Sequence, residues 1–127
     1  MKLYLIRHGE TEWSFSGQHT GRTNIPLTSP GEEEAQQFAS WLKGIAFSTV
    51  WFSPRQRARR TCELIGLGGL GQPQSDLAEW DYDDYEGLRS ADIVKKRAGW
   101  NIFHDGCPNG ETPEQVVERA GPFGCSP

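Results

Sequence analysis

Arg7, His8 and Gly9 stand together at the end of the short apolar run Leu3-Tyr4-Leu5-Ile6, and they are residue types that do chemistry on anions. A neutral imidazole with one nitrogen tied as a donor to backbone can use the other as a nucleophile toward phosphorus. A guanidinium beside it can hold a dianion, and a glycine after it lets backbone approach closely. Further along, Ser53-Pro54 is followed by Arg55, Arg57, Arg59 and Arg60. If the runs before these two groups are neighbouring parallel strands, Arg57 falls one turn into a helix and converges with Arg7 and His8 on one edge. Two guanidiniums and a helix N-terminus suit phosphate. Glu79, in the acidic and aromatic stretch LAEWDYDDYEGL, is a candidate general acid for a departing alkoxide. Taken singly, these are a turn histidine, a solvated helix face and a surface acid. Taken jointly, they predict phosphoryl transfer.

The elements that must position them can be read from pattern. Leu3-Tyr4-Leu5-Ile6 and Ser48-Thr49-Val50-Trp51-Phe52 have the continuous apolar character of strands covered on both faces. Between them TSPGEEEAQ opens a helix, with Ser29 as cap, Pro30 at the first position and Glu32 completing a capping box. Ala35, Phe38, Ala39, Leu42 and Ile45 form its apolar stripe. Strand, loop, helix, strand is a βαβ unit with parallel strands. A second helix starts at Ser53-Pro54, with Gln56 third, and runs to about Ile65. Gly66, Gly68 and Gly71 match G-x-G-x-x-G formally, but a helix precedes and Gln-Pro follows, so the stretch reads as a loop and not a dinucleotide site.

LAEWDYDDYEGL is too polar for core and too rich in rings for a linker, and reads as the wall of a site. SADIVKKRAGW is a short amphipathic helix. NGETPEQVVERA opens another, with Thr112 as cap, Pro113 first and Gln115 as box partner. GPFGCSP then breaks that helix, and no third apolar strand follows. So few strands for so many helices predict a fold that stops before it is complete, with an irregular tail over 120–127.

At 127 residues the chain is expected to be one domain. A net charge of -4 gives no reason to expect nucleic acid or anionic membrane, so any anion site must be local. Cys62, Cys107 and Cys125 are an odd set without metal-type spacing, which reads as inert thiols in a reducing compartment. Neither a metal nor a cofactor is expected. Met1-Lys2 leads into a run too short for a signal-peptide core, and no apolar stretch is long enough to span a bilayer. The expectation is a soluble cytoplasmic protein acting on a small phosphorylated partner, with a homodimer left open.

LIRHGETEW, SGQHTGRTNIPLTSPGEEEAQ and SPRQRARRT, in that order, closely resemble the histidine phosphatase superfamily, in its phosphoglycerate-mutase-like branch. The match runs from Leu3 to about Arg119. It implies a three-layer α/β/α sandwich with a mostly parallel sheet, the C-terminal part missing, so that 1–127 is a single incomplete domain. By the same resemblance His8 is the residue phosphorylated, Arg7 and Arg57 hold the phosphate, and Glu79 is the proton donor. Thr20 and Gly21 match the substrate loop and Tyr82 a residue of the substrate pocket. Ser14 stands where many members have a phosphate-contacting asparagine, and keeps a weaker contact. WNIFHDGCPNGET resembles the sugar-phosphatase members more than the mutases, which carry a longer insertion there. The implied function is a metal-independent phosphomonoesterase acting through phosphohistidine on a small sugar phosphate. A truncated, non-catalytic phosphate-binding member is the alternative, and a phosphoglycerate mutase is disfavoured. The family's second His-Gly has no counterpart: neither His19 nor His104 can be carried over to it. The strand that belongs to that motif would lie beside the first one, so its absence predicts an exposed, unprotected edge.

Overall fold

Val50, Trp51 and Phe52 are β-branched and aromatic, the types that suit a pleated surface, and they form β1 (Val50–Phe52). In the computed structural model, which describes residues 2–123, β1 pairs in parallel with β2 (Gly71–Pro73), placing Val50 opposite Gly71 and Phe52 opposite Pro73. The connection is α3 (Gln56–Leu64), so the βαβ unit is β1-α3-β2. This corrects the expected unit, which placed residues 3–6 in its first strand. It also corrects the loop reading of the glycine-rich stretch, whose last residues are strand. Gly and Pro are poor strand formers, and Pro73 is tolerated because β2 is an edge strand in the described sheet. The class is α/β, a small parallel sheet among helices.

Residues 3–6 join no ladder among the described residues. Leu3 is 59 % exposed and Leu5 70 %, while Tyr4 sets its ring edge-on against Phe47 with centroids 5.2 Å apart. The run is therefore not the covered strand its composition suggests. Apolar residues make a central strand only when neighbours supply hydrogen bonds on both sides, and here the side chains lie on an open edge.

Helix ends show which signals are local. α2 (Ser29–Leu42) is capped by Thr28, one residue before the expected Ser29: Thr28 Oγ1 accepts from the Gly31 N–H at 3.1 Å, and its own N–H reaches the Glu10 carbonyl at 2.9 Å. Ile45 falls beyond the helix, and Phe38 is exposed, so the expected stripe is covered chiefly at Ala35. α3 begins after Arg55, later than Ser53-Pro54, and the cap comes from another loop, Asn24 Oδ1 accepting the Gln56 N–H at 2.8 Å. It ends at Leu64 with Ile65 as its C-cap, close to the expected end at about Ile65. A short α1 (Glu12–Ser16) follows the glycine of the Arg-His-Gly turn, closed by a Thr11–Ser14 capping box. α4 (Ser90–Lys96) and α5 (Ile102–Asp105) follow. α6 (Pro113–Ala120) carries the predicted Thr112–Gln115 box, with Gln115 N–H on Thr112 Oγ1 and Thr112 N–H on Gln115 Oε1. Residues Gly121–Phe123 make a 3₁₀ turn; the rest of the expected tail, Cys125 included, lies outside the described residues.

The principal core cluster is Trp80, Tyr85, Ile93 and Cys107, with Tyr82, Leu88, Trp100, Ile102 and Val116 packed on it. Trp80 is 6 % exposed and Tyr85 7 %, so LAEWDYDDYEGL is core as well as wall, a correction to its reading as too polar. Its rings turn inward while Asp83 and Asp84 stay in water. Cys62 and Cys107 are buried free thiols, and burial, foremost, pushes both upward, Cys107 to about 11. Among the described residues no helix is long and apolar enough to cross a membrane.

Candidate active site

His8 is half-buried at the open end of residues 3–6, and its surroundings fix it although no ladder does. The Gly9 N–H donates to Thr61 Oγ1 at 3.2 Å, and the Thr61 hydroxyl donates to the Arg57 carbonyl at 2.8 Å, tying the turn to α3. The Glu10 carbonyl accepts from the N–H of Thr28, and Glu10 Oε1 from the Thr28 hydroxyl at 2.8 Å, tying it to the start of α2. The His8 ring places Nδ1 2.7 Å from the Gly9 carbonyl. A carbonyl can only accept, so Nδ1 carries the proton and Nε2 keeps its lone pair. Burial pushes the imidazole below its ordinary range; the Gly9 carbonyl draws it part of the way back, and the charges of Arg57 and Arg7 push it down again. The ring is neutral at pH 7.

A cleft of about 280 Å³ opens beside it, lined by Arg7, His8, Gly9, Glu10, Ser14, Phe15 and Glu34. Arg7 is exposed in this cleft. Ser14 is on its wall, but its hydroxyl works in the α1 cap, accepting the Thr11 N–H at 2.8 Å and donating to the Thr11 carbonyl at 3.1 Å. Arg57 is buried, 2 % exposed, and spends three of its five N–H donors on backbone: Nη1 on Thr23, Nη2 on Thr20 and Gly21, at 2.8, 3.3 and 2.9 Å. The substrate loop of the resemblance, Thr20 and Gly21, is thus seated on Arg57. Arg59 and Arg60, by contrast, pair with Glu63 and Glu32 in water, the plain solvated face.

Glu79 is exposed, and its Oε1 accepts the Trp80 N–H at 2.8 Å. It is near enough to act electrostatically on His8, Arg57 and Tyr82. The Tyr82 hydroxyl is raised, first by burial and then by Glu79, so it stays a neutral donor. His19 stacks on Tyr82 with centroids 4.8 Å apart and pairs Nε2 with Ser90 Oγ at 3.0 Å; burial lowers it too. His104 is exposed on α5.

Two supports were not legible as such in the sequence. Arg119 of α6 forms a bidentate pair with Glu111, both contacts 2.7 Å, and donates to the carbonyls of Asp76, Ala78 and Glu79, strapping the Glu79 segment to α6. That pairing holds the Glu111 carboxyl below its usual range. Glu86 Oε1 accepts the N–H groups of Gly21 and Thr23. A capped helix ending in an arginine is a visible signal for the first; nothing local marks the second.

The lowered histidines imply a pH dependence. For His8 and His19 the folded chain binds protons less readily than the unfolded chain at its ordinary 6.5, so stability is full above that value and is lost as pH falls below it. Glu111, lowered from 4.5, adds a second loss in the same direction at lower pH. The urea midpoint is expected to be lower at about pH 5.5 than at about pH 7.5. Equal midpoints would contradict the placement of both rings.

The family model for the histidine phosphatase superfamily, branch 1, matches residues 3–124. Sedoheptulose 1,7-bisphosphatase of Saccharomyces cerevisiae is 39 % identical over 93 % of this chain and 52 % of its own length. An acid phosphatase of Mycobacterium tuberculosis is 40 % identical over 94 % of this chain and 59 % of its own. The solved structure of the Mycobacterium tuberculosis open reading frame Rv3214 superposes with a TM-score of 0.85 at 39 % identity, covering 91 % of this chain and 61 % of that one. The chain thus spans little more than half the length of these relatives. With the family model covering nearly the whole chain and relatives about 40 % identical along more than nine-tenths of it, the chain belongs to the histidine phosphatase superfamily, branch 1.

Proposed function

We propose that this chain carries the phosphate-handling part of a phosphomonoester hydrolase that works through phosphohistidine. One observation carries the reading: Nδ1 of His8 is held on the Gly9 carbonyl, which leaves Nε2 unprotonated in a cleft shared with Arg7. Nε2 attacks phosphorus, the ester P–O bond breaks, and the departing alkoxide takes a proton from Glu79. Water then attacks the phosphoryl group, the P–N bond breaks, Glu79 regains a proton and inorganic phosphate leaves. Arg7, on the cleft, and Arg57, whose charge reaches His8 from behind it, are the cations that stabilise the charge spreading over the transferring oxygens. Thr20, Gly21 and Tyr82 bound the substrate side, and Ser14 contributes through the α1 cap. The relatives support a small sugar phosphate as substrate, through the likeness to sedoheptulose 1,7-bisphosphatase. Free buried thiols support a cytoplasmic setting.

A second reading, phosphate binding without turnover, is favoured by Glu79, the proton donor of the scheme, being exposed with Oε1 already taken by the Trp80 N–H. Turnover of p-nitrophenyl phosphate and of a panel of sugar phosphates separates the two. Release of phosphate above the buffer rate, with competitive inhibition by inorganic phosphate, is expected. No release, together with phosphate binding measured by calorimetry, would replace hydrolysis with binding.

A further inference from the structure

The loop that sits on Arg57 is gripped from both sides. Its carbonyls at Thr20, Gly21 and Thr23 accept from the guanidinium, while its N–H groups at Gly21 and Thr23 converge on one oxygen, Glu86 Oε1, at 2.8 and 3.2 Å. The neighbouring backbone holds the same loop, His19 N–H on the Leu88 carbonyl and Gly87 N–H on the His19 carbonyl, both 2.8 Å. Glycine is required where the grip is tightest: a Cβ on Gly21 would lie 2.3 Å from the Trp80 carbonyl oxygen and 2.9 Å from Glu86 Oε2. Glu86 Oε2 itself is buried and has no hydrogen-bond partner among the described residues. An acceptor left unpaired in the interior is costly, so the contacts of the other oxygen must outweigh it.

We propose that Glu86 is a positioning residue: its carboxylate fixes the loop at Gly21 and Thr23, and through the loop's carbonyls fixes the guanidinium of Arg57. Arg57 is fully charged and surrounded by three carbonyls, so without the loop it has no seat and its remaining N–H groups have no defined direction. Glu86 touches neither phosphate nor His8 in this scheme. Its effect on phosphate rests on the functional reading above; its hold on the loop does not.

Amide hydrogen exchange of the whole chain, read by NMR, tests the hold directly. Glu86→Ala is expected to speed exchange at Gly21 and Thr23 by about tenfold or more, with α6 amides unchanged. Glu86→Gln keeps a carbonyl oxygen in the place of Oε1 and is expected to restore protection to within about threefold of the parent. Should the alanine variant not fold, Glu86→Asp, one methylene shorter and unable to span both amides, is expected to release at least one of them. Inorganic phosphate titrated into the same samples should bind about tenfold more weakly to Glu86→Ala than to the parent and be rescued in Glu86→Gln. Unchanged protection at Gly21 and Thr23 in the alanine and aspartate variants would overturn the proposal, as would a glutamine variant no better than alanine. A parent that binds no phosphate, with the exchange pattern as expected, removes the phosphate reading and leaves the clamp standing.

Discussion

Gly9→Ala is expected to destabilise the chain by about 3 kcal/mol or more and to dismantle the proposed phosphate site with it. An added Cβ would lie 2.3 Å from the Gly31 carbonyl oxygen, 2.9 Å from its carbon and 3.2 Å from its Cα. All three are backbone atoms of the first turn of α2, which is anchored by Thr28, so no side chain can swing aside to make room. The fit is mutual, because a Cβ on Gly31 would meet the Glu10 carbonyl oxygen at 2.2 Å. Relief requires parting the turn from α2. That breaks the Thr28–Glu10 bonds and the Gly9–Thr61 bond, and so releases the carbonyl that holds His8 Nδ1. Gly69→Ala is the control: its Cβ meets nothing within 4 Å, and the change should stay within about 0.5 kcal/mol. Urea midpoints of the two variants decide the matter, and a Gly9→Ala loss under about 1 kcal/mol would show that the turn and α2 are not locked together.

The contact between Gly9 and Gly31 shows why part of the site was legible in the sequence and part was not. Features encoded within one turn of chain could be read directly. The Thr112–Gln115 box, the stop at Ile65 and the polar ending at Arg7 and His8 all follow from neighbours in sequence. Features that depend on a distant partner could not. Ser53-Pro54 has every local mark of a helix start, yet α3 takes its cap from Asn24. Leu3-Tyr4-Leu5-Ile6 has the composition of an inner strand, but a strand exists only by its neighbours. Conversely Gly71-Gln72-Pro73 has the composition of a loop and becomes β2 because Phe52 and its neighbours offer a ladder. The aromatic and acidic stretch misled for a third reason: composition averages over rings that face Ile93 and carboxylates that face water. Arg57 was placed from its position in a helix, but the destinations of its donors lie in a loop over thirty residues earlier, at Thr20, Gly21 and Thr23. Glu86 was invisible, one of 17 acidic residues with nothing nearby to single it out.

In the proposed hydrolysis the chemistry turns on His8, and His8→Ala is expected to abolish a phosphoenzyme and to lower turnover by about a thousandfold or more, to the level of residual binding effects. Nε2 is the group proposed to form the new bond, and neither Arg7 nor Arg57 can replace it, since guanidiniums stay protonated and offer no lone pair. The pH profile should follow the same ring. Burial, then the charges of Arg57 and Arg7, outweigh the Gly9 carbonyl and lower the imidazole from 6.5, so the ring keeps its lone pair to lower pH than an ordinary imidazole does. The acid limb of kcat/KM should therefore fall below pH 6.5, and Arg7→Ala, which removes one of the charges that push the ring down, should move that limb upward. Quenching a reaction with labelled substrate identifies the atom. A P–N bond on His8 loses its phosphate in acid and keeps it in alkali, whereas a phosphate ester on a hydroxyl survives acid. Acid-stable label, or label that persists in His8→Ala, would place the phosphoryl group on a residue such as Ser14 or Thr20 and would remove His8 as the nucleophile.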